Sequence, residues 1–508
     1  MNRATPASVR LARLSKTALA LAAIVFLAAC SLTPQEHRPD LEIPASFAAS
    51  DDRSAPPLAP SEEPGRWQPA EPAQTQAPSP WWQVFQDPVL MQLEEQALQA
   101  NPDVGIAMAR LKQARALASR SESQRLPSID AGFGPNRQRT SGAAAGLGDG
   151  APGAVQTLWR AQASVAYEVD LFGRVASGVA AAQADAAQAR ALAHQMLLLV
   201  QADVARTYFS LRQLEGEQQL LGRTVQLREG ALQLLERKRE AGAVAPFVAE
   251  QARAELFTAK AEQQAIRQQQ ALTSHALAVL LGKAPGTLAL NAQPLVLPVI
   301  RIPAGLPSTL LERRPDIAAA ALAMAAENAR IGVAKAAFFP SLSLTGSLGY
   351  ESADLGNLAN WSQRTFLLGP LVGTALSLPI FDGGRRRADE AKARAAYEER
   401  VAEYRKTVLQ AFREVEDALV SMRTLDERLA HQQGAAQAAA RVDQSAKARF
   451  DEGDVDYLGV VDAERTLLRS RQSLIQAEGE RVRATVDLVR ALGGGWDASG
   501  ATASAKKS

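Results

Sequence analysis

The sequence predicts a mainly α-helical chain that also supplies strands to a membrane β-barrel and that consists of two copies of one unit. Three observations lead to this prediction: a long repeat, a pair of alternating segments in each copy, and a long proline-free helical stretch in each copy. The landmarks of the repeat lie about 210 residues apart in every case, which indicates an internal duplication rather than a short-period solenoid. They are Leu126-Pro127-Ser128 with Phe339-Pro340-Ser341, Pro102-Asp103 with Pro315-Asp316, Glu240 to Val244 with Glu452 to Val455, and Leu281-Gly282 with Leu492-Gly493.

The composition excludes one broad class of partner. The 508 residues carry 56 basic and 54 acidic side chains, a net charge of +2. Nucleic-acid binding requires a concentrated basic field, so no nucleic-acid partner is expected.

The N-terminus has the pattern of a bacterial lipoprotein signal. Basic residues precede an apolar run from Ala18 to Ala29, and the run ends in Leu27-Ala28-Ala29-Cys30, which resembles a lipoprotein box. Cys30 is the only cysteine, so no internal disulfide can form. We predict that residues 1–29 are a signal peptide and that Cys30 carries covalent lipid. The alternative, a free cysteine at the end of a membrane anchor, is disfavoured because the run is short for a span.

Residues 30–80 are predicted to form a lipidated, Pro-rich tether or wrapping strap, because prolines are frequent and apolar periodicity is weak. By resemblance to sorted lipoproteins, Ser31 after the lipid site indicates the outer membrane. A helical pattern then begins near Asp87-Pro88 and continues to about Gln124.

Two pairs of segments alternate between apolar and polar residues, which is the period of a half-buried strand. The clearest runs from Ala161 to Leu171, where apolar side chains interleave with Gln162, Ser164 and Glu168. The predicted strands lie near residues 128–140 and 157–172 in the first copy and near 340–350 and 369–382 in the second.

Each strand pair is followed by a long stretch without proline in which apolar residues recur at helical spacing. A helix over about residues 176–240 would reach roughly 100 Å at 1.5 Å per residue. The predicted seam residues are Val204, Leu211, Leu214, Leu221, Val225, Leu232 and Leu235 in the first copy and Val408, Phe412, Val415, Leu419, Met422, Leu425 and Leu429 in the second.

Strands with one apolar and one polar face in an exported protein suit an outer-membrane barrel. Four strands cannot close one, because about eight are needed, so several chains must contribute. A small sheet in a soluble α+β protein is the alternative. The long helices favour the barrel, because they have no globular core to join.

Over its mature length the sequence resembles the TolC-like outer-membrane factors, in particular the lipidated branch that serves multidrug efflux pumps. The motifs that carry the resemblance are Trp82 to Leu90, Tyr167 to Arg174, Gly305 to Ile317, Ala336 to Ser341, Leu378 to Phe381 and Ala491 to Trp496. The family's proline-rich element after the lipid site is present as Pro34 to Pro39 but lacks its tyrosine.

The resemblance implies a homotrimer in which a twelve-stranded barrel continues as a long α-helical periplasmic barrel. It also implies a periplasmic adaptor protein and an inner-membrane, proton-driven transporter as partners, with outer-membrane lipid around the strands. Residues 81–300 and 301–495 are then repeats 1 and 2, and residues 496–508 a flexible tail.

The sequence contains no credible catalytic or metal-binding set, and we expect no enzyme activity and no cofactor beyond the lipid on Cys30. The four histidines lack the paired spacing of a zinc site. Function is therefore expected in conduction and gating.

Leu458, Asp462 and Arg465 lie at positions i, i+4 and i+7, on one face of a predicted helix. The resemblance implies that Leu458 and Asp462 narrow a periplasmic constriction and that Arg465 belongs to the network holding it closed. Without the resemblance, the same residues would be the start of a capped helix with a solvated Asp462.

The predicted function is a passive exit duct of a tripartite efflux pump for drugs or other small toxic compounds. An exit duct for polypeptides in a one-step secretion system and a lipid-anchored coiled-coil scaffold are the alternatives. The scaffold is disfavoured because it does not need two-faced strands in both copies.

Overall fold

Within the part of the chain that the structure describes, the fold has seven complete α-helices, three short 3-10 helices and seven strands. The computed structural model describes residues 32–35, 39–40, 43–44, 47–48, 66–67, 80–143, 146, 148, 150, 152–291, 295, 311, 313–363, 365–368, 373–494 and 496–497. The predicted signal peptide, Cys30, most of the predicted tether, the motif at Gly305 to Ser308 and the tail after Asp497 lie outside these residues.

The two copies share one succession of elements: a helix, strands, a helix of 67 residues and a helix of 35 residues. The helices are α1 (Pro88–Ala100), α2 (Pro102–Ser123), α3 (Arg174–Glu240), α4 (Pro246–Leu280), α5 (Pro315–Ala336), α6 (Arg385–Asp451) and α7 (Tyr457–Ala491). The strands are β1 (Arg66–Trp67), β2 (Ser128–Thr140), β3 (Ala154–Val169), β4 (Ser341–Ser352), β5 (Thr365–Leu368), β6 (Gly373–Ser377) and β7 (Trp496–Asp497). The helices α3 and α6 have 67 residues each, and α4 and α7 have 35 each.

The chain divides into two compact units. The strands β2 to β6 belong to the unit that includes Lys112–Gln188 and Ala321–Glu403. The second unit includes Asp40–Leu111, Ala189–Ala320 and Tyr404–Ser508, and it contains the main apolar core.

The long helices of the second unit are stabilised by the seams that the sequence predicts. Most of the predicted seam positions are buried, including Val204, Leu221, Val408 and Val415, each with 0% exposure. The remaining seam side chains are half-buried. This agreement follows from helical periodicity, which places residues three and four apart on one face.

The predicted helix from Asp87 to Gln124 is wrong in one respect, because it is divided into α1 and α2. Pro102 has no backbone N–H and disfavours helical conformation at the preceding residue, and Asn101 is extended. The Asn101 side chain accepts hydrogen bonds from the backbone N–H groups of Asp103 and Val104 at 2.8 and 3.2 Å. Asn101 therefore ends one helix and caps the next.

Three of the predicted strands have different bounds in the structure, and β4 differs from the predicted 340–350 by only one or two residues. β3 begins at Ala154, before the predicted 157. It ends at Val169, before the predicted 172, because Asp170 caps α3 by accepting hydrogen bonds from the N–H groups of Val175 and Ala176. The predicted strand 369–382 is replaced by β5 and β6, and β6 ends at Ser377, shortly before Pro379. A proline cannot donate a ladder hydrogen bond.

The segments predicted as tether and tail contain ordered contacts within the second unit. β1 and β7 pair as an antiparallel two-residue ladder, so the predicted tail begins with paired backbone rather than as a flexible segment. Phe47 is 1% exposed and lies in a cluster with Val415 and Leu488. The predicted strap is thus held at separate points, at Phe47 by helices and at Arg66–Trp67 by β7.

The glycines of the duplicated Leu-Gly landmark end α4 and α7 in the same way. Gly282 and Gly493 have φ angles of 67° and 83°, a left-handed conformation that residues with a Cβ rarely adopt. In addition, a Cβ at Gly282 would collide with the backbone oxygen of Ala100. The landmark therefore recurs because both helices need the same C-terminal turn.

Among the described residues, helix α5 is long and apolar enough by composition to cross a membrane, but half of its apolar segment is buried inside the protein. Burial of this kind is typical of a core helix.

Candidate functional site

The strands form one antiparallel sheet, with β2 beside β3, β3 beside β4, and β4 beside both β5 and β6. β5 and β6 pair with different halves of β4, so they act as one interrupted strand. The sheet is therefore four strands wide.

One face of this sheet is apolar and ends in an aromatic row. Phe133, Ala161, Tyr350 and Phe366 are aligned across all four strands by the pairing register. Phe133 stacks on Trp159 with a centroid distance of 5.9 Å, and Tyr350 and Trp361 contact Phe366 at 6.3 and 4.9 Å. Aromatic girdles that flank an apolar band are typical of transmembrane β-barrels.

The opposite face of the sheet is polar. Gln162, Ser164 and Ser347 lie on it by register. On the same face Arg160 forms an ion pair with Glu351 across the β3 and β4 strands, at 2.9 Å. A charged pair on this face, between strands whose other face is apolar, indicates a face that contacts water.

The transitions from strands to long helices are alike in the two copies. Asp170 caps the start of α3, and Asp382 caps the start of α6 by accepting hydrogen bonds from the N–H groups of Gly384 and Arg386. A hydrogen bond from the Arg386 side chain is the main reason that the pKa of Asp382 is lowered. Arg386 also lies over the Phe338 ring, 5.7 Å from its centroid.

The predicted gate residues lie at the start of α7, after the turn that follows α6. Asp456 caps α7 through the N–H of Gly459 at 3.1 Å. The next turn contains Leu458, which is 47% exposed, and Asp462, whose side chain is 64% exposed. Both therefore point away from the packing of their own chain.

Arg465 is the member of the set that binds another helix. Its guanidinium forms an ion pair with Glu255 in α4 and lies 3.6 Å from Asp462. Glu255 is 7% exposed and also pairs with Arg228 of α3 at 3.1 Å. The structure thus brings Arg465 and Asp462 together and adds two residues, Glu255 and Arg228, that the sequence reasoning missed.

A second set of contacts at this end was also missed. Lys447 in α6 forms ion pairs with Asp443 at 3.1 Å and with Glu464 in α7 at 2.9 Å. Burial is the main reason that the pKa of Tyr457 is raised to about 12, so Tyr457 is neutral. The ion pair between Asp443 and Lys447 could have been predicted, since oppositely charged residues at i and i+4 are recognisable in a sequence. The contact between Lys447 and Glu464 could not, because it depends on how α6 and α7 pack.

The first copy has no carboxylate in the place of Asp462. Gln251 occupies that place in the offset alignment of the two copies. Arg253 nearby forms ion pairs with Glu236 and Glu250 at 2.7 and 2.6 Å. The two copies therefore differ in charge at this end.

Comparisons with known proteins identify the class to which this sheet and these helices belong. The family described as outer membrane efflux protein matches residues 93–283 and 306–494, one match in each copy. The chain therefore belongs to the outer membrane efflux protein family. It is an outer-membrane channel of tripartite efflux, and it extends into the periplasm.

Individual relatives cover nearly the whole chain. The probable efflux pump outer membrane protein SepC of Pseudomonas putida is 34% identical over 481 residues, which are 94% of this chain and 97% of the relative. The outer membrane protein OprJ of Pseudomonas aeruginosa is 35% identical over 420 residues, covering 82% and 86% of the two chains.

Solved structures agree with this assignment. The outer-membrane channel OprN has a TM-score of 0.79 and 30% identity, with coverage of 92% of this chain and 99% of that one. The open state of the MtrE outer membrane channel of Neisseria gonorrhoeae has a TM-score of 0.75 and 27% identity, with coverage of 92% and 98%.

Proposed function

We propose that three copies of this chain form a passive exit duct for drugs or other small toxic compounds. The observation that carries the proposal is the two-faced sheet, which is only four strands wide and has apolar and polar sides suited to lipid and water. A sheet of this width cannot close on itself, since the smallest barrels have about eight strands. The number three rests on the resemblance to the TolC-like factors.

The test of assembly is the mass of the detergent-extracted complex. We expect three copies per particle, and in a planar bilayer we expect the particles to form channels. A stable monomer that keeps its full strand content would contradict the shared barrel.

The cargo class is supported by the names of relatives. These include a toluene efflux pump outer membrane protein and an antibiotic efflux pump outer membrane protein, both from Pseudomonas putida. Deletion of this chain in its own host should lower resistance to small apolar toxicants, and its restoration should return the resistance. Unchanged resistance together with loss of a secreted polypeptide would instead favour a protein-secretion duct.

The partners in this proposal are a periplasmic adaptor protein and a proton-driven inner-membrane transporter. The adaptor would engage the helical turns between α3 and α4 and between α6 and α7, and the transporter would supply the energy that a passive duct lacks. Crosslinking from an introduced cysteine in the turn at Glu452 should capture the adaptor, whereas a cysteine at Ser141 beyond β2 should not.

In the resting state, Leu458 and Asp462 from each chain would narrow the periplasmic end, and Arg465 would hold their helix in place. The exposure of Leu458 and Asp462 and the ion pair of Arg465 support this role. The remaining parts of the proposal are covalent lipid on Cys30 as an anchor, no other cofactor, and no enzyme activity.

A further inference from the structure

The chemistry of β2 changes along one face of the strand. Side chains on one face of a strand recur at every second residue, and here they are first apolar, then aromatic, then basic: Ile129, Ala131, Phe133, Pro135, Arg137 and Arg139. The register with β3 places Arg137 opposite Thr157 and Arg139 opposite Val155. The two arginines thus lie on the same face as the aromatic row, further along the strand.

This face is the one that contacts lipid. The chain belongs to a family of outer-membrane efflux proteins, and transmembrane β-barrels have an apolar outer band. On this face Ile129 and Phe133 are 76% and 65% exposed. An arginine on the lipid side of a barrel is costly at the centre of the bilayer and tolerated near its surface. Arg137 and Arg139 therefore lie at or beyond the membrane surface, past the level of Phe133 and Trp159.

The arginines are at the end of the strand that faces the exterior. α2 precedes β2 and α3 follows β3, whereas Arg137 and Arg139 lie next to the connection between the two strands. Since the channel extends into the periplasm, this connection is on the outer side. The lipid surface at this level is the outer leaflet.

Both guanidinium groups are available for a ligand. Arg137 and Arg139 are exposed, and within the described residues neither forms an ion pair. Arg160 on the polar face is different, because Glu351 neutralises it at 2.9 Å. Two arginines two residues apart on one strand face, without an ion-pair partner among the described residues, present planar donor groups, which match phosphate oxygens.

We propose that Arg137 and Arg139 bind the phosphate groups of lipopolysaccharide, the phosphorylated glycolipid of the outer leaflet, with Phe133 and Trp159 contacting its apolar part. The chemistry that recognises the ligand is a pair of arginines immediately beyond an aromatic girdle. The second copy lacks such a pair in its described strands, where Tyr350 is followed by Glu351 and Ser352. The site is therefore contributed once per chain.

The test uses the full-length protein purified in nonionic detergent and bisphosphorylated lipid A as the probe. We expect the double variant Arg137→Gln, Arg139→Gln to need at least about tenfold more lipid A for half-saturation, which corresponds to about 1.4 kcal/mol. A double variant with lysine at both positions should bind with intermediate strength, because charge is kept and the planar group is lost.

The matched control is Arg120→Gln, Arg125→Gln. These two exposed arginines precede the same strand at its other end, so the control removes the same charge at the periplasmic side. The lipid A concentration that half-saturates this control variant should equal that of the unchanged protein. Single-channel conductance, measured for every variant, shows that the barrel has folded.

Three results would overturn the proposal. One is unchanged lipid A binding in the double variant Arg137→Gln, Arg139→Gln. Another is an equal loss of lipid A affinity in the control variant. The third is that the unchanged protein binds phosphate-free lipid A, or phosphatidylglycerol, as tightly as bisphosphorylated lipid A. None of these results depends on cargo or on gating, so the efflux function is tested separately.

Discussion

Arg465 in the second copy forms an ion pair with Glu255 in the first copy, so the helix that carries Leu458 and Asp462 is fixed to its counterpart. Glu255 is itself held by Arg228, whose guanidinium also donates a hydrogen bond to the backbone oxygen of Glu255 at 2.7 Å. The contact therefore connects α3, α4 and α7. A partner that changes the position of α7 must first break this pair.

Replacement of Arg465 by alanine should favour the open duct. The Arg465 side chain is 44% exposed, and a pair of this exposure contributes at most about 1 kcal/mol, so the ratio of open to closed channels should rise by up to about fivefold. Single-channel recordings in a planar bilayer measure this ratio. Glu255→Gln should favour opening at least as strongly, because it also removes the carboxylate that pairs with the buried Arg228. Adding Arg465→Ala to Glu255→Gln should change the ratio little further.

The control for this prediction is Arg428→Ala. Arg428 forms a similarly exposed ion pair, with Glu480 at 2.7 Å, but both partners belong to the second copy. If Arg428→Ala raises the ratio of open to closed channels as much as Arg465→Ala does, the loss of any exposed ion pair is sufficient to favour opening.

Leu458→Ala should widen the closed end, because it removes an apolar side chain that is exposed within its own chain. We expect higher conductance and greater entry of large antibiotics into cells that lack the transporter. Leu272→Ala is the matched control, since Leu272 is also an exposed leucine, at 61%, on α4. If conductance is the same in Leu458→Ala as in the control, the constriction lies elsewhere.

Asp462→Asn should reduce the preference for cations, because a ring of carboxylates at a narrow point favours cations. Three carboxylates brought together also repel one another by a few kcal/mol at intermediate dielectric, so the closed state should become more stable. Reversal potentials in a salt gradient measure the selectivity. Asp417→Asn, which removes another exposed carboxylate at 73% exposure, should leave the reversal potential unchanged.

The strands and helices that sequence reasoning placed well are those with local periodicity, which is weaker in β2 than in the segment from Ala161 to Leu171. β2 and the seams of α3 and α6 follow from spacing alone, because alternation and helical recurrence each place apolar residues on one face. The bounds that failed depend on caps. Leu171 continues the alternation of β3, but Asp170 already binds the first N–H groups of α3, and that contact cannot be seen in the pattern.

Contacts between distant segments were not predictable from one sequence. Glu255 is separated from Arg465 by 210 positions, and Arg314 binds both Glu414 and the backbone oxygen of Ala491. Many arginines and glutamates of the chain have suitable charges, so only the fold selects these partners. The gate residues were named through resemblance, whereas the ion pair that fixes Arg465 is known from the structure alone.

Cys30→Ala, expressed behind a cleavable signal, should leave the protein in the outer membrane. The apolar face of the strands inserts into lipid without the anchor, so lipidation adds membrane affinity without creating the pore. Membrane fractionation and drug resistance are the measurements. A wholly soluble periplasmic product would contradict an integral barrel.

Glu94 in α1 is buried without a hydrogen-bond partner among the described residues, and it should make the protein less stable as pH rises. Its exposure is 0%, and neither carboxyl oxygen has a hydrogen-bond partner among the described residues. Burial raises the pKa of Glu94 well above its usual value. Folded protein therefore retains a proton that unfolded protein loses above about pH 4.5, and stability falls with pH from that value up to the folded-state pKa.

Glu94→Leu should remove this penalty, because the other buried residues of α1, Leu90, Leu93 and Ala97, are apolar and belong to the main core. We expect a gain of about 1–3 kcal/mol near neutral pH, seen as a higher melting temperature of the detergent-extracted protein, with a smaller gain at pH 4.5. Glu94→Gln separates two causes of the penalty, the ionisation of a buried group and the burial of a polar group without a hydrogen-bond partner. It keeps a buried polar group but cannot ionise, so its melting temperature should depend less on pH while remaining below that of Glu94→Leu. If the melting temperature depends on pH equally in the unchanged protein and in Glu94→Gln, groups other than Glu94 cause the loss of stability with rising pH.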